Sequence, residues 1–187
     1  MIGVGICGSF CSFAKTETVL KTLCTEGYEL LPIFSEHTAS LDTRFGTASH
    51  WRTVFSEICQ HEPILTIPEA EPLGPSLPLD ALLLCPCTGN TLAKIACGIT
   101  DTTVTMAAKA HLRCGRPLVI ALASNDALSG NLQNIARLTE KKNVYFVPLR
   151  QDDPDRKPYS LVCDFGAVLP TLREAMAGRQ IRPMIVW

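Results

Sequence analysis

The chain has 187 residues, 47% of them hydrophobic and 19% charged, and its formal net charge is −1. This composition supports one folded domain with a buried core and argues against intrinsic disorder. A nearly neutral chain lacks the clustered cationic surface that nucleic acids and anionic membranes attract, and no apolar run reaches the roughly 18 residues of a membrane span. The start, Met1–Cys7, is typical of a strand rather than of a targeting signal, which favours a cytoplasmic protein.

Apolar strand-like runs alternate with helix-like stripes along the chain, a pattern typical of a parallel α/β sheet. The predicted strands are Ile2–Cys7, Tyr28–Phe34, Ala81–Cys85, Leu118–Ala123 and, as the last core strand, Val144–Val147. The first predicted helix begins at about Ser12 and ends before Gly27, a helix-terminating glycine. Further helices are predicted at Trp51–Cys59, from Thr91 onward and at Thr103–Arg113. Two more are predicted from apolar stripes, one of Leu128, Leu132, Ile135 and Ala136 and one from Phe165 to Met176. We predict a single-domain, Rossmann-like, doubly wound parallel sheet over residues 1–187, with a C-terminal helix and tail from about residue 151.

Proline and cysteine mark two special features of the sequence. The segment Pro63–Pro78 holds five of the 13 prolines, which predicts a connection without a helix, with at most a short strand at Ile64–Ile67. The odd total of nine cysteines favours reduced thiols over disulfides. We expect five of them to pack as small hydrophobic side chains: Cys7, Cys24, Cys59, Cys85 and Cys97. No metal site is predicted, because the histidines are scattered.

Small and hydroxyl residues follow several predicted strands, at Gly8-Ser9, Ser35–Thr38, Pro86–Thr91 and Ser124–Asp126. Since the carboxyl ends of parallel strands meet at one edge of a sheet, these turns predict a ligand site there, and the helix starts that follow them suit an anion. The alternative is that they only cap helices. Neither a dinucleotide fingerprint nor a P-loop is present, because the glycines Gly3, Gly5 and Gly8 begin inside the strand and no Gly-Lys-Ser/Thr follows.

The same turns carry a family resemblance. Residues 85–101, CPCTGNTLAKIACGITD, resemble the signature of the homo-oligomeric flavin-containing decarboxylase-like flavoproteins, and residues 106–110, 115–120 and 131–139 continue the likeness. Five further stretches, at residues 42–46, 69–75, 125–128, 143–148 and 151–154, are similar to one branch, the flavoprotein subunits of dipicolinate synthases. This resemblance implies a sporulation enzyme that works with a separate A subunit and oxidises a dihydrodipicolinate-type intermediate to pyridine-2,6-dicarboxylate.

The resemblance also implies which residues bind flavin mononucleotide (FMN). Gly8 and Ser9 would meet the phosphate or the ribityl chain, and Ser35 would add a hydroxyl to the phosphate. The remaining implied contacts are Pro86, Thr88, Gly89, Asn90, Thr91 and, on a later helix, Asn134. Flavin prenyltransferases of this fold have an Arg-Glu pair where this chain has Ser124-Asn-Asp126, which argues against that chemistry and against tight flavin retention. The related decarboxylases carry a catalytic histidine and a Pro-x-Met-Asn turn, whereas the turn here is Pro-Cys-Thr-Gly-Asn.

A substrate ring with two carboxylates requires cations or backbone amides, and arginine suits a carboxylate best because its planar fork binds both oxygens. Arg44 is the first candidate and Lys109 the second, and for each the alternative is a solvated surface charge. Oxidation of the dihydro ring also requires a hydride acceptor and a base. Asp126 and His37 both remain open as that base, and NAD(P) remains open as an acceptor on the partner subunit.

Three functions therefore stay open. The first is a flavin-type oxidoreductase subunit, the second a non-catalytic partner with a degenerate flavin pocket, and the third a flavin-dependent decarboxylase or prenyltransferase of the same fold. The resemblance also implies a homo-oligomer, a trimer or a multiple of it. Phe10 and Phe45 are candidates for its interface, because they lie outside the predicted core stripes.

Overall fold

The protein is described by a computed structural model that covers residues 1–186; Trp187, the last residue of the predicted domain, lies outside the described residues. Its strands form one mixed sheet. They are β1 (Ile2–Ile6), β2 (Leu30–Phe34), β3 (Ala81–Cys87), β4 (Leu118–Ser124), β5 (Val144–Phe146), β6 (Leu149–Gln151) and β7 (Leu161–Cys163). The first five strands confirm the predicted ones and pair in parallel.

The strand order places the site. Along the sheet the order is β2-β1-β3-β4, with β5 paired to the first half of β4 and β7 to its end. The connection from β1 runs outward to β2, whereas the next strand, β3, lies on the other side of β1. Such a reversal opens a crevice at the carboxyl ends of β1 and β3, which is the ordinary ligand position in open α/β sheets.

Helices cover both faces of the sheet, as expected for a doubly wound fold. They are α1 (Phe13–Thr25), α2 (Glu36–Ser40), α3 (Ala48–Cys59), α4 (Ile67–Ala70), α5 (Gly89–Cys97), α6 (Thr103–Leu112), α7 (Leu132–Thr139) and α8 (Val168–Met176). α1 packs against α3 and α8, and α5 packs against α6 and α7. The core lies between these layers, and β1 and β3 are buried at every residue. None of the helices within residues 1–186 is long and apolar enough to cross a membrane.

The Pro-rich connection differs from its prediction. It was expected to hold no helix, but α4 forms there. The Thr66 hydroxyl accepts a hydrogen bond from the N–H of Glu69, and the Glu69 carboxylate accepts one from the N–H of Thr66. These two backbone N–H groups at the start of the helix therefore have partners. Pro68 lies in the first turn, where its missing N–H costs no hydrogen bond. The predicted strand at Ile64–Ile67 is reduced to one parallel bridge between Ile64 and Ile33.

Two further expectations were wrong in the second half of the chain. Val144–Val147 is not the last strand, because β6 and β7 form an antiparallel pair around the charged loop and β7 joins the end of β4. The stripe predicted for α7 is also shifted: Leu132 is 50% exposed, whereas Leu138 is buried. α7 begins only at Leu132, so Leu128 precedes the helix and the buried face is set by Ile135 and Leu138.

All nine cysteines, each within the described part of the chain, are free thiols. Cys7, Cys59 and Cys85 are buried, as predicted, whereas Cys24 is half-buried. Cys97 is exposed and corrects the prediction, because it is the last residue of α5 and Gly98 ends the helix beyond the core. Burial raises the pKa of Cys85 to about 12, so this thiol stays protonated and apolar at neutral pH.

Candidate functional site

A cleft of about 660 Å³ opens at the carboxyl ends of β1, β3 and β4. This volume lies in the range of about 300–1,000 Å³ that small-molecule sites have. Its floor consists of the turns after these strands, namely Gly8–Ser12, Thr88–Asn90 and Ala123–Asn125. Its outer side consists of Lys15, Phe45 and the segment from Asp152 to Val162. Three of the four predicted strand-end turns therefore converge on this cleft, whereas the fourth, Ser35–Thr38, does not line it.

The first turn joins β1 to a short 3₁₀ helix, Phe10–Ser12, that leads into α1. The N–H of Ser9 donates to the carbonyl of Cys7 at 2.7 Å, which closes the turn tightly. The hydroxyls of Ser9 and Ser12 lie 3.3 Å apart, and both residues line the cleft. Cys7 N–H donates to the carbonyl of Pro86 at 3.1 Å, so the turns after β1 and β3 are held to each other.

The second turn presents backbone donors to the cleft. Thr88 is the N-cap of α5, and its Oγ1 accepts the N–H of Thr91 at 3.3 Å. The N–H groups of Gly89 and Asn90 lie in the first turn of the helix, where no intrahelical carbonyl is available to them. Both residues line the cleft. Pro86 and Thr91 are buried behind this turn and support it.

A hydrogen-bonded cluster, which we call the buried network (Ser124, Asp126, Asn131 and Asn134), lies against Gly89; three of its residues are buried and Asp126 is half-buried. Asn131 donates its amide to both carboxylate oxygens of Asp126 at 2.9 Å, and Asn134 donates to the Asn131 carbonyl at 2.9 Å. The Ser124 hydroxyl donates to Asp126 as well, and this bond, followed by the one from Asn131, lowers the pKa of the carboxyl. Asp126 is therefore an ionised acceptor held by its neighbours.

Glycine is required at position 89 by this network. A Cβ there would lie 2.3 Å from Ser124 Oγ, 2.6 Å from Asn131 Nδ2 and 2.9 Å from Asp126 Oδ1. Real Cβ atoms do not approach polar atoms so closely, so a larger residue forces the network to move. The network thus seats the start of α5, and with it the backbone donors of Gly89 and Asn90.

The residues predicted after β2 lie beside the cleft rather than along it. Ser35 is the N-cap of α2: its Oγ accepts the N–H of Thr38 at 3.3 Å, and its hydroxyl lies 3.0 Å from Thr38 Oγ1. His37 is exposed and close to the first turn, because a Cβ placed on Gly8 would lie 3.4 Å from the His37 Cβ. His37 therefore lies next to Gly8, although it does not line the cleft.

The two predicted substrate cations are far apart in the fold. Arg44 is exposed, and its guanidinium carbon lies 4.8 Å from the ring centre of Phe45, which lines the cleft. The carbonyl of Phe45 accepts the indole N–H of Trp51 at 2.9 Å, which anchors this loop. Lys109 lies on α6 and lines a separate cavity with Ile99 and Arg113, so the structure does not bring it to the cleft.

Sequence reasoning missed Cys11, Lys15, Asp152 and Lys157, all of which line the cleft. Lys157 and Asp152 form an ion pair across the loop between β6 and β7. We call Arg44, Phe45, Asp152 and Lys157 the exposed rim. The position of Cys11 and Lys15 just after the Gly8-Ser9 turn was an available signal. The position of Asp152 and Lys157 depends on the long-range pairing of β7 with β4 and had no local signal.

The donors of this cleft fit a flavin mononucleotide. The backbone N–H groups of Gly89 and Asn90 at a helix start suit a phosphate, and the hydroxyls of Ser9 and Ser12 suit a phosphate or a polyol chain. No cluster of three or more His, Cys, Asp or Glu side chains that could hold a metal ion occurs in residues 1–186. The arrangement is that of an anion-binding cleft at the switch point of an α/β sheet.

The sequence profile of the Flavoprotein family matches residues 1–175, and the chain belongs to this family. The dipicolinate synthase B subunit of Bacillus subtilis (strain 168) is 40% identical over 185 residues, which cover 99% of this chain and 92% of that protein. The crystal structure of the corresponding B subunit from Bacillus halodurans superimposes with a TM-score of 0.91 at 37% identity, over 100% of this chain and 95% of that one. The resemblance predicted from the residues is thereby confirmed.

A more distant structure shares the fold. It is a dodecameric FMN-dependent UbiX-like decarboxylase from Escherichia coli O157:H7, with a TM-score of 0.61 and 24% identity, over 79% of this chain and 80% of that one. At this identity the likeness establishes the common architecture, including the sheet whose carboxyl ends form the cleft. It does not assign a reaction to the present chain.

Proposed function

We propose that this chain is the flavin-binding subunit of a dipicolinate synthase, which oxidises a dihydrodipicolinate-type intermediate to pyridine-2,6-dicarboxylate together with a separate A subunit. The observation that carries the proposal is the cleft at the β1/β3 switch point, where helix-start donors meet serine hydroxyls in a chain 40% identical to a dipicolinate synthase B subunit. The reaction belongs to the cytoplasm of a sporulating cell.

In this proposal the turns hold FMN. The free N–H groups of Gly89 and Asn90 bind the phosphate, with Ser9 as an additional hydroxyl donor, while Thr88 caps the N–H of Thr91. Pro86, Thr91, Ser35 and Asn134 support these turns from behind, as their burial indicates. When bound, FMN supplies a hydride acceptor, and a nicotinamide on the A subunit is an alternative final acceptor.

The protein's own residues must bind the substrate and remove a proton. Conversion of the dihydro ring to the aromatic ring removes one hydride and one proton, so a base must stand near the ring. Of the two candidates, Asp126 accepts hydrogen bonds from Ser124 and Asn131, which lower its pKa and make it a weak base. His37 lies beside Gly8 and carries an imidazole, the side chain that most often serves as a general base. We therefore assign the base to His37 and a supporting role to Asp126.

We also propose a homo-oligomer built from trimers. The fold relative from Escherichia coli is dodecameric, which is a multiple of that unit. Phe45 is 41% exposed at the cleft rim and is available for an interface, whereas Phe10 packs internally on Phe13 with ring centres 5.2 Å apart. A stable monomer at micromolar concentration in light scattering would contradict this assembly.

Reconstitution tests the function. The purified chain, the A subunit, FMN and a nicotinamide are mixed, and formation of pyridine-2,6-dicarboxylate is followed; omission of this chain should abolish it. Product formation without any flavin requirement would instead support a non-catalytic partner. Release of CO₂ from a carboxylate substrate would support a decarboxylase.

Flavin binding is tested separately by substitution. Asn90→Trp and Ser9→Trp should abolish FMN binding in a fluorescence titration, because both side chains would fill the cleft floor. Gln133→Trp, at an exposed position on α7, is the matched control and should bind FMN like the unmodified chain. Unchanged affinity in both cleft variants would refute the FMN site.

A further inference from the structure

Of the cations that line the cleft, one lacks a carboxylate partner. Lys157 is paired with Asp152, whereas Lys15 makes no ion pair within 4.0 Å among the described residues. The Lys15 ammonium instead lies 5.6 Å from the ring centre of Phe165, a cation–π contact with the segment that leads into α8. Such a contact contributes about 0.5–1 kcal/mol at an exposed site, so a stronger anionic partner displaces it.

The position of Lys15 connects two spaces. It lines the main cleft and also a smaller cavity of about 240 Å³ between α1 and the start of α8, whose other walls include Val19, Val168 and Leu169. The small cavity is apolar, so it suits the methylene chain of the lysine and leaves the ammonium at the junction. From there the flexible four-carbon side chain reaches into the cleft.

The electrostatic surroundings agree with this position. Burial raises the pKa of the Cys163 thiol, at the end of β7, and the Lys15 charge opposes part of that increase. The preceding residues of β7, Leu161 and Val162, form a cleft wall. Asp164, the neighbouring acidic residue, has its carboxylate on the N–H of Gly166 at 3.1 Å. Asp164 forms no ion pair with Lys15 within 4.0 Å, so the Lys15 ammonium is available to a ligand.

We propose that Lys15 binds a carboxylate of the ring substrate in the cleft, with Phe165 holding the side chain when the cleft is empty. This inference rests on the proposed function and assigns to Lys15 the role that the sequence suggested for Arg44 or Lys109. The N–H groups of Gly89 and Asn90 are then free to bind the cofactor phosphate. The cleft thus binds its two anions with different groups: backbone amides bind the phosphate, and the mobile Lys15 ammonium binds the substrate carboxylate.

The experiment measures the affinity of pyridine-2,6-dicarboxylate by isothermal titration calorimetry, in metal-free buffer, with and without saturating FMN. Lys15 is exposed in the empty cleft, but it lines the cleft, so a ring ligand bound there covers its ammonium. Loss of a hydrogen bond to a charged group then costs about 1.5–3 kcal/mol, so Lys15→Met should weaken binding roughly 10- to 150-fold. Lys15→Arg should recover part of the affinity, because it restores the charge. Lys21→Met is the matched control: it removes a lysine on the same helix that is already paired with Glu17, and it should bind like the unmodified chain.

Two further measurements separate charge recognition from other roles. The neutral analogue pyridine-2,6-dicarboxamide should bind the unmodified chain and Lys15→Met equally, since no carboxylate is present. FMN affinity should also change less than about twofold, as for a surface substitution. An equal loss with the diamide, or a loss of FMN affinity instead of dicarboxylate affinity, would overturn the assignment.

The remaining outcomes are also decisive. If Lys15→Met binds pyridine-2,6-dicarboxylate as the unmodified chain does, while the reconstituted enzyme still forms this product, the carboxylate assignment is wrong and the proposed function survives. If the unmodified chain with its A subunit forms no dicarboxylate and does not bind it, both proposals are wrong together.

Discussion

The buried network supports the floor of the cleft and the exposed rim lies at its outer side, and the two differ in burial and in the kind of contact that holds them. The network is composed of short polar side chains that satisfy one another at 2.9 Å, with Asn131 and Asn134 almost fully buried. The rim consists of exposed side chains on two loops. One loop contains the Lys157–Asp152 ion pair, and the other contains the cation–π contact of Arg44 with Phe45. Surface pairs of this kind contribute about 0.2–1 kcal/mol, whereas a buried donor left without a partner costs about 1–3 kcal/mol. Rigidity is therefore concentrated where the cofactor phosphate is expected, and adaptability where the substrate and the A subunit approach.

The largest effect is expected from Gly89→Ala, which breaks the rigid side. The new methyl group would lie 2.3 Å from Ser124 Oγ and 2.6 Å from Asn131 Nδ2, so both atoms must shift, and such a shift disturbs their hydrogen bonds to Asp126. Overpacking of this kind costs about 1–3 kcal/mol, and we expect the upper end of that range in urea unfolding, with FMN affinity lost as well.

Gly98→Ala is the control for this substitution. Gly98 ends the same helix at φ +73°, and a Cβ there has nothing within 4 Å. Only the left-handed backbone is then penalised, by about 1–2 kcal/mol, and FMN affinity should stay unchanged. If Gly89→Ala destabilises no more than Gly98→Ala and retains FMN, the network does not seat the helix start.

Asp126→Asn should have a smaller and pH-dependent effect. Neighbouring hydrogen bonds hold the pKa of Asp126 below its ordinary value, so the ionised carboxylate stabilises the folded state above the unfolded-state pKa of about 3.9. This contribution is lost as the pH falls through the lower folded-state pKa. The variant should thus be about 1–2 kcal/mol less stable at pH 7, and this difference should begin to shrink near pH 4 and continue to shrink as the pH falls further.

Buried His111 provides an internal reference for the same titration. Burial lowers the pKa of its imidazole, and the chain therefore loses stability as the pH falls below the unfolded-state value of about 6.5. Asp126→Asn should share this decline with the unmodified chain in thermal unfolding scans. A stability difference that persists unchanged at pH 3 would show that the Asp126 charge is irrelevant.

The contrast between the two sides also explains what could be predicted from the sequence. The turns after β1 and β3 were predictable, because Gly8-Ser9 and the Thr88 cap are local patterns between an apolar run and a helix. The α4 helix was predictable in principle from the capping box of Thr66 and Glu69, but the high proline content of the segment argued against any helix there. Local signals of this kind depend on residues three or four apart in the chain.

The missing parts of the site depend on contacts between distant segments. Ser124 and Asp126 are recognisable as a turn, but their hydrogen bonding with Asn131 and Asn134 forms only once α7 is folded against them. The pairing of β7 with β4 brings Lys157 to the cleft from a stretch whose composition indicates only a charged loop. Arg44 and Lys109 were both candidates for the substrate carboxylate, and no local pattern shows that the fold separates them.

The smallest effect is expected from Arg44→Ala, which probes the rim. A desolvated guanidinium–carboxylate pair is worth about 2–5 kcal/mol, or roughly 30- to 3,000-fold in affinity. Arg44 is exposed, stacks on Phe45 and, unlike Lys15, does not line the cleft, so its pair with a ligand would be solvated and worth about 0.2–1 kcal/mol. We therefore expect Arg44→Ala to weaken pyridine-2,6-dicarboxylate binding by the chain alone less than about fivefold. Phe45→Ala, which removes the stacking platform and keeps the charge, should have a similarly small effect. A loss of about 30-fold or more in Arg44→Ala would mean that the rim closes over the ligand and that Arg44, rather than Lys15, is its principal cation.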